Sequence, residues 1–118
     1  MHLITPEEVE AMHILRQMKT AIQNYGWRRS YTPYSRRHDG YTILDAREIV
    51  LLGRYGRTNR IPAIDVADAA LLAALPRKFR DVTEYNDHDE TTLRGVILTL
   101  SRAMMRIERL ERDHEKLV

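Results

Sequence analysis

The feature that most constrains this chain is one long helical pattern near its end. From Leu93 the apolar residues fall at Val96, Ile97, Leu100, Ala103, Met104, Ile107 and Leu110. These are steps of three and four, which line one side of a helix. A helix from about Thr92 to Glu115 would be ~36 Å long, the width of a small domain. Earlier segments must pack against such a wall. A polar corner, Asp81-Val82-Thr83-Glu84-Tyr85-Asn86-Asp87-His88, stands just ahead of it.

The start of the chain predicts a second long element. Thr5-Pro6-Glu7-Glu8 combines a capping residue, a proline suited to the first helical position and two acids at the positive end of the helix dipole. Glu8 lies three after Thr5 and completes a capping-box pattern. Ala11, Leu15, Met18, Ile22 and Tyr25 form a stripe, joined by Met12 and Ala21, and Gly26 suits a helix stop. A helix over residues 6–25 is expected. Residues 27–42 carry no apolar periodicity and hold turn signals at Pro33 and Asp39-Gly40, so they read as a long surface excursion, or as a short hairpin with Tyr41-Thr42-Ile43 as one arm. Asp45 is the expected cap of another helix, running to Tyr55 or Gly56. Its Ile49-Val50-Leu51-Leu52 run, apolar all round, predicts burial on most sides. Pro62 and Asp65 introduce an alanine-rich helix over 63–75, with Leu71, Leu72 and Leu75 as knobs and Pro76 as its stop. Lys78 to Val82 suggests one more turn, with Phe79 inward. The expectation is an all-α fold: a single compact domain, residues 1–118, of about four main helices with a long basic loop after the first.

A chain of 118 residues can bury a core without disulfides or metals, and it contains no cysteine, which suits a reducing cytoplasm. No stretch approaches the ~20 apolar residues of a membrane span, and the first residues lack the pattern of a signal peptide. Net charge is only +2 but unevenly spread. Residues 26–60 hold Arg28, Arg29, Arg36, Arg37, Arg47, Arg54, Arg57 and Arg60 against Asp39, Asp45 and Glu48, a balance of +5, while residues 61–92 balance at −4. Either the two regions pair across the fold, or the middle offers a basic face to an acidic partner.

Catalytic signals are weak. His88 sits between Asp87 and Asp89, but adjacent residues usually point apart, and Asn and Asp before a helix commonly bind its free amides. The five histidines are scattered without metal-ligand spacing. Gly53-Arg54-Tyr55-Gly56-Arg57 lacks the lysine of a phosphate loop. No catalytic residues, metal or cofactor are expected. The best binding candidates are Arg28, Arg29, Tyr31, Tyr34, Arg36 and Arg37, which interleave with Trp27. Arginine grips phosphate while aromatic rings stack on bases. The same residues dominate protein-binding hot spots. A plain solvated loop with Trp27 plugging the core is the third reading.

The order Gly26-Trp27, then Gly40-Tyr41-Thr42-Ile43-Leu44-Asp45-Ala46, an Ala/Leu-rich helix, Tyr85-Asn86-Asp87, a threonine ahead of Val96, and Ala103 resembles a family of small proteins of unknown function from actinobacteria and their phages. Tyr85 stands where that family usually has tryptophan, and Leu44-Asp45 replaces its more typical entry to the helix. The resemblance implies no established activity. It implies that Trp27, Tyr41, Tyr85, Asn86 and Asp87 form a shared unit, with Trp27 and Tyr85 packed over the start of the last helix and Asn86 and Asp87 on nearby backbone amides. The expected function is a non-enzymatic binding module, a small accessory protein acting in the cytoplasm through a protein partner. The alternative is nucleic-acid binding through segment 27–40 and Arg54, Arg57 and Arg60.

Overall fold

The structure, a computed structural model, describes residues 5–30, 40–56 and 61–117, and side chains as far as residue 108. It is all-helical: α1 is Pro6–Tyr25, α2 Ile43–Tyr55, α3 Pro62–Ala74, α4 Val82–Asp87 and α5 Leu93–Leu117. Helix α1 is central and packs on α2, α3 and α5, while α3 also packs on α5 and α2 touches the short α4.

Each helix begins and ends for a local reason. Thr5 Oγ1 accepts the Glu8 amide at 3.1 Å and starts α1. Gly26 ends it at φ 91°, with its amide on the Ile22 carbonyl at 2.8 Å. The cap of α2 is Thr42, not Asp45. Thr42 Oγ1 accepts the Asp45 amide at 3.0 Å while the Asp45 carboxylate accepts the Thr42 amide at 3.3 Å. Asp45 is therefore the third residue of a capping box and closes it from the far side. Gly56 terminates α2 in the left-handed region. The extra turn expected over 78–82 lies further on, as α4, because Asp81 caps it by accepting the Glu84 amide at 2.8 Å. Thr92 Oγ1 accepts the Gly95 amide at 3.0 Å and sets the start of α5.

The core is the meeting of one face from each long helix. Ile14, Leu15, Met18 and Ile22 of α1, Ile43 and Leu51 of α2, Leu71 of α3, and Val96, Leu100 and Ile107 of α5 are fully enclosed. Each such side chain stabilises the fold by about 1.5–3 kcal/mol relative to exposure. Ala63, Ala67 and Ala70 let α3 approach α1 and α5 closely. Four apolar residues expected inside lie outside. Tyr25 is exposed because it is the last residue of α1, past the packed face. Ile49 and Leu52 are about half exposed because α2 packs on α1 along one side, leaving a solvent face opposite Val50 and Leu51. Leu72 points away from the face that buries Leu71.

Candidate functional site

The polar corner and the two ends of the 27–42 excursion come together in a clasp centred on Asn86. Its geometry starts with two glycines. After α1 the chain runs Gly26-Trp27-Arg28, and Gly40-Tyr41 returns alongside it. The Tyr41 amide donates to the Gly26 carbonyl at 2.9 Å and the Arg28 amide to the Tyr41 carbonyl at 3.1 Å. This is a single parallel bridge, Trp27 to Tyr41, and not the hairpin arm that Asp39-Gly40 suggested. Tyr41-Thr42 serves instead as the approach to α2. The two segments touch so closely that a Cβ on Gly40 would lie 2.7 Å from the Gly26 carbonyl carbon and 2.8 Å from the Trp27 nitrogen. Gly40 also has φ 111°, so only glycine fits there without strain.

Asn86, at the end of α4 and 2% exposed, ties these strands down. Its Oδ1 accepts the Trp27 indole N–H at 2.7 Å and the Ile43 amide at 3.0 Å. Its Nδ2 donates to the Arg28 carbonyl at 3.1 Å and to Asp87 Oδ1 at 2.9 Å. Both lone pairs and both protons of the amide are thus in use. Asp87 Oδ1 also accepts the Ser30 amide at 2.7 Å. Burial pushes the Asp87 carboxyl up, but the bonds from Ser30 and Asn86 and the charge of Arg29 outweigh it and hold the group below the usual aspartate value.

Arg28 and Arg29 belong to the clasp. Arg29 donates from Nε to the His88 carbonyl at 3.2 Å and from one terminal nitrogen to the carbonyls of Asp89, at 2.9 Å, and Thr91, at 2.8 Å. Its guanidinium lies 5.1 Å from the centre of the Trp27 ring. Arg28 donates to the Gly40 carbonyl at 3.1 Å and pairs with Asp45 at 3.2 Å. Tyr31, Tyr34, Arg36 and Arg37, like Arg57 and Arg60, lie outside the described residues.

The corner differs from its expected form in two respects. Asn86 and Asp87 do bind backbone amides, but those of Ile43 and Ser30 and not of α5, whose cap is Thr92. Trp27 is held by Asn86 and Arg29, whereas the ring that Tyr85 meets edge-on is Phe79, at 5.1 Å. The hydroxyl of Tyr85 accepts from Thr99 at 3.0 Å, and its carbonyl accepts from Thr91 at 2.6 Å. His88 meets Phe79 edge to face at 5.1 Å, and its Nδ1 accepts the Glu90 amide at 3.1 Å. The Asp87 carboxylate is therefore turned to Ser30 and Asn86, not to His88 as an acid-base pair would need. Thr91, Thr99 and Ser30 escape sequence reasoning, because nothing in their own neighbourhood marks them.

The basic middle is knitted into the fold wherever it is described. Besides Arg28 and Arg29, Arg47 makes a two-pronged pair with Asp68 at 2.8 Å on each arm, and Arg54 bonds both oxygens of Glu10 at 2.7 and 2.8 Å. Tyr55 donates to the same carboxylate at 2.6 Å. The bonds from Tyr55 and Arg54 keep the Glu10 carboxyl below its ordinary range. Beside the clasp is a depression of about 230 Å³ floored by Phe79 and Tyr85, with the exposed pair Lys78–Glu90 at its rim. Among the described residues no group of three or more His, Asp and Glu could hold a metal ion. None of the described helices is long and apolar enough to cross a membrane.

The model of a family of unknown function, DUF6197, matches residues 6–106, and the chain belongs to that family. The match opens with α1, closes within α5 and contains the whole clasp. No curated protein and no solved structure matches the chain.

Proposed function

We propose that this DUF6197 member is a non-enzymatic binding module, a small accessory protein that acts through a protein partner. The observation that carries the reading is how the 27–40 segment is rooted. Ser30 is fixed by Asp87 at one end, and Gly40 is pressed against Gly26 at the other. Arg28 and Arg29, first expected among the contact residues, serve as the roots. The contact then falls to Tyr31, Tyr34, Arg36 and Arg37, which lie between these two fixed points in sequence. Two tyrosines beside two arginines match the composition of protein hot spots. Three of the seven arginines behind the nucleic-acid alternative, Arg28, Arg29 and Arg54, already bond acceptors of this chain, which weakens a phosphate-binding face. The likeness to small phage and actinobacterial proteins favours a host protein as the partner. A cysteine-free chain suits the reducing cytoplasm as the place of the encounter.

The test is affinity capture from a host lysate, with and without nuclease, using the wild type and a variant with Tyr31, Tyr34, Arg36 and Arg37 all changed to serine. A protein retained after nuclease treatment and lost with the variant supports the reading. Capture that disappears with nuclease, together with direct DNA or RNA binding that weakens steeply as salt rises, replaces it with the nucleic-acid reading. Capture that the variant does not disturb places the surface elsewhere.

A further inference from the structure

Two outer faces of the molecule complement each other in charge while sharing an apolar character. On α2, Leu44, Glu48 and Leu52 are spaced four apart and Ile49 lies beside them, all exposed. Arg47 reaches from this helix to Asp68 on α3, where Asp65 and Leu72 occupy the same exposed stripe. No lysine or arginine is exposed on α2 or α3, since Arg47 and Arg54 are paired and α3 has none. On α5, Arg94, Leu98, Arg102, Met105 and Arg106 share the face turned from the core, and the one acid over residues 93–108, Glu108, is partly buried. The large apolar side chains on the two faces, Leu44, Ile49, Leu52, Leu72, Leu98 and Met105, are 44 to 51% exposed. Helix α2 packs on α1 and α4, and α5 on α1 and α3, so each face is left open by its own fold.

We propose that this protein self-associates head to tail, the basic face of α5 on one copy docking against the acidic face of α2 and α3 on the next. The occupant is a second copy because the chain itself carries both halves. Leucine and methionine supply burial on each side, and Arg94, Arg102 and Arg106 meet Glu48 and Asp65. Charges placed in this way steer encounter and fix register, and burial of the apolar side chains supplies attraction. The two halves are different surfaces, so the contact is heterologous and leaves one free face of each kind at the ends of an open assembly and none in a closed ring. This surface is distinct from the 27–40 segment, and its failure would leave the proposed partner interaction standing.

Sedimentation velocity across a concentration series tests it. The wild type should sediment faster as concentration rises, and less so as salt is added. Two variants each disable one face at exposed positions: Arg102→Glu with Arg106→Glu, and Ile49→Asn with Leu52→Asn. With unchanged helical circular dichroism, each alone should remain monomeric. An equimolar mixture should form a heterodimer and nothing larger, because one intact face of each kind survives. A wild type that is monomeric at every concentration overturns the proposal. So does an association that the α5 variant abolishes and the α2 variant leaves intact, which would be α5 pairing with itself. Insensitivity to salt contradicts the charge pairing.

Discussion

The clasp around Asn86 and the outer faces of α2 and α5 treat their side chains in opposite ways. In the clasp, polar groups are turned inward and matched. Asn86 uses all four of its bonding positions, Asp87 takes the Ser30 amide, and Arg29 fills three carbonyls of the turn that leads to α5. On the outer faces, apolar groups are turned outward and left without cover. A residue type therefore says little about where a protein works until its partners are known. Arginine, histidine and paired acids suggest chemistry in the sequence, yet here they hold three distant segments together. Leucines in a helix suggest core, yet Leu52 and Leu98 are open to solvent.

Substitutions can widen or erase this contrast. Gly40→Ala should have the largest effect, a loss of about 4 kcal/mol of stability in urea denaturation, because its Cβ meets backbone atoms and its φ is unfavourable. Arg29→Ala should cost about 2 kcal/mol, leaving the carbonyls of His88, Asp89 and Thr91 without their charged donor. Acid should loosen the clasp through Asp87. Its folded pKa lies below the unfolded value, so its contribution is complete above about pH 4 and is lost as the pH falls from there through the lowered folded value. Melting temperature plotted against pH should then fall less steeply for Asp87→Asn than for the wild type in that acid range. The smallest effect belongs to the outer face. Leu52→Ser should change stability by no more than about 0.5 kcal/mol, since its side chain is already half in water. A large loss there would mean that α2 is more deeply packed than its exposure shows.

Much of the architecture was readable from local chemistry. Thr5-Pro6 and Gly26 bound α1, Pro62 opens α3, and the three-four spacing from Val96 to Ile107 fixes the buried side of α5. Local ambiguity misled in one place: Asp45 resembles a cap, but Thr42 lies three residues ahead and forms the box with it. The Ile49–Leu52 run misled for another reason, because four consecutive apolar residues do not reveal how many neighbours a helix has. The clasp was half readable. That Asn86 and Asp87 bind backbone amides follows from their residue types. Which amides they bind does not, because the Ile43 and Ser30 donors lie 43 and 57 positions away in sequence. Such pairings are set by the packing of α4 beside α2, which no local pattern encodes.

Trp27 is the only tryptophan in the chain, so its fluorescence reports directly on the clasp. The decisive measurement is urea denaturation of Asn86→Ala, followed by Trp27 emission and by helical circular dichroism. In the wild type the two signals should change together. In Asn86→Ala, stability should fall by about 3 kcal/mol, because the indole N–H and the Ile43 amide lose their shared acceptor. Trp27 emission should also shift to the red before the helices melt. An Asn86→Ala protein with wild-type stability and unchanged Trp27 emission would show that Asn86 does not hold these segments together.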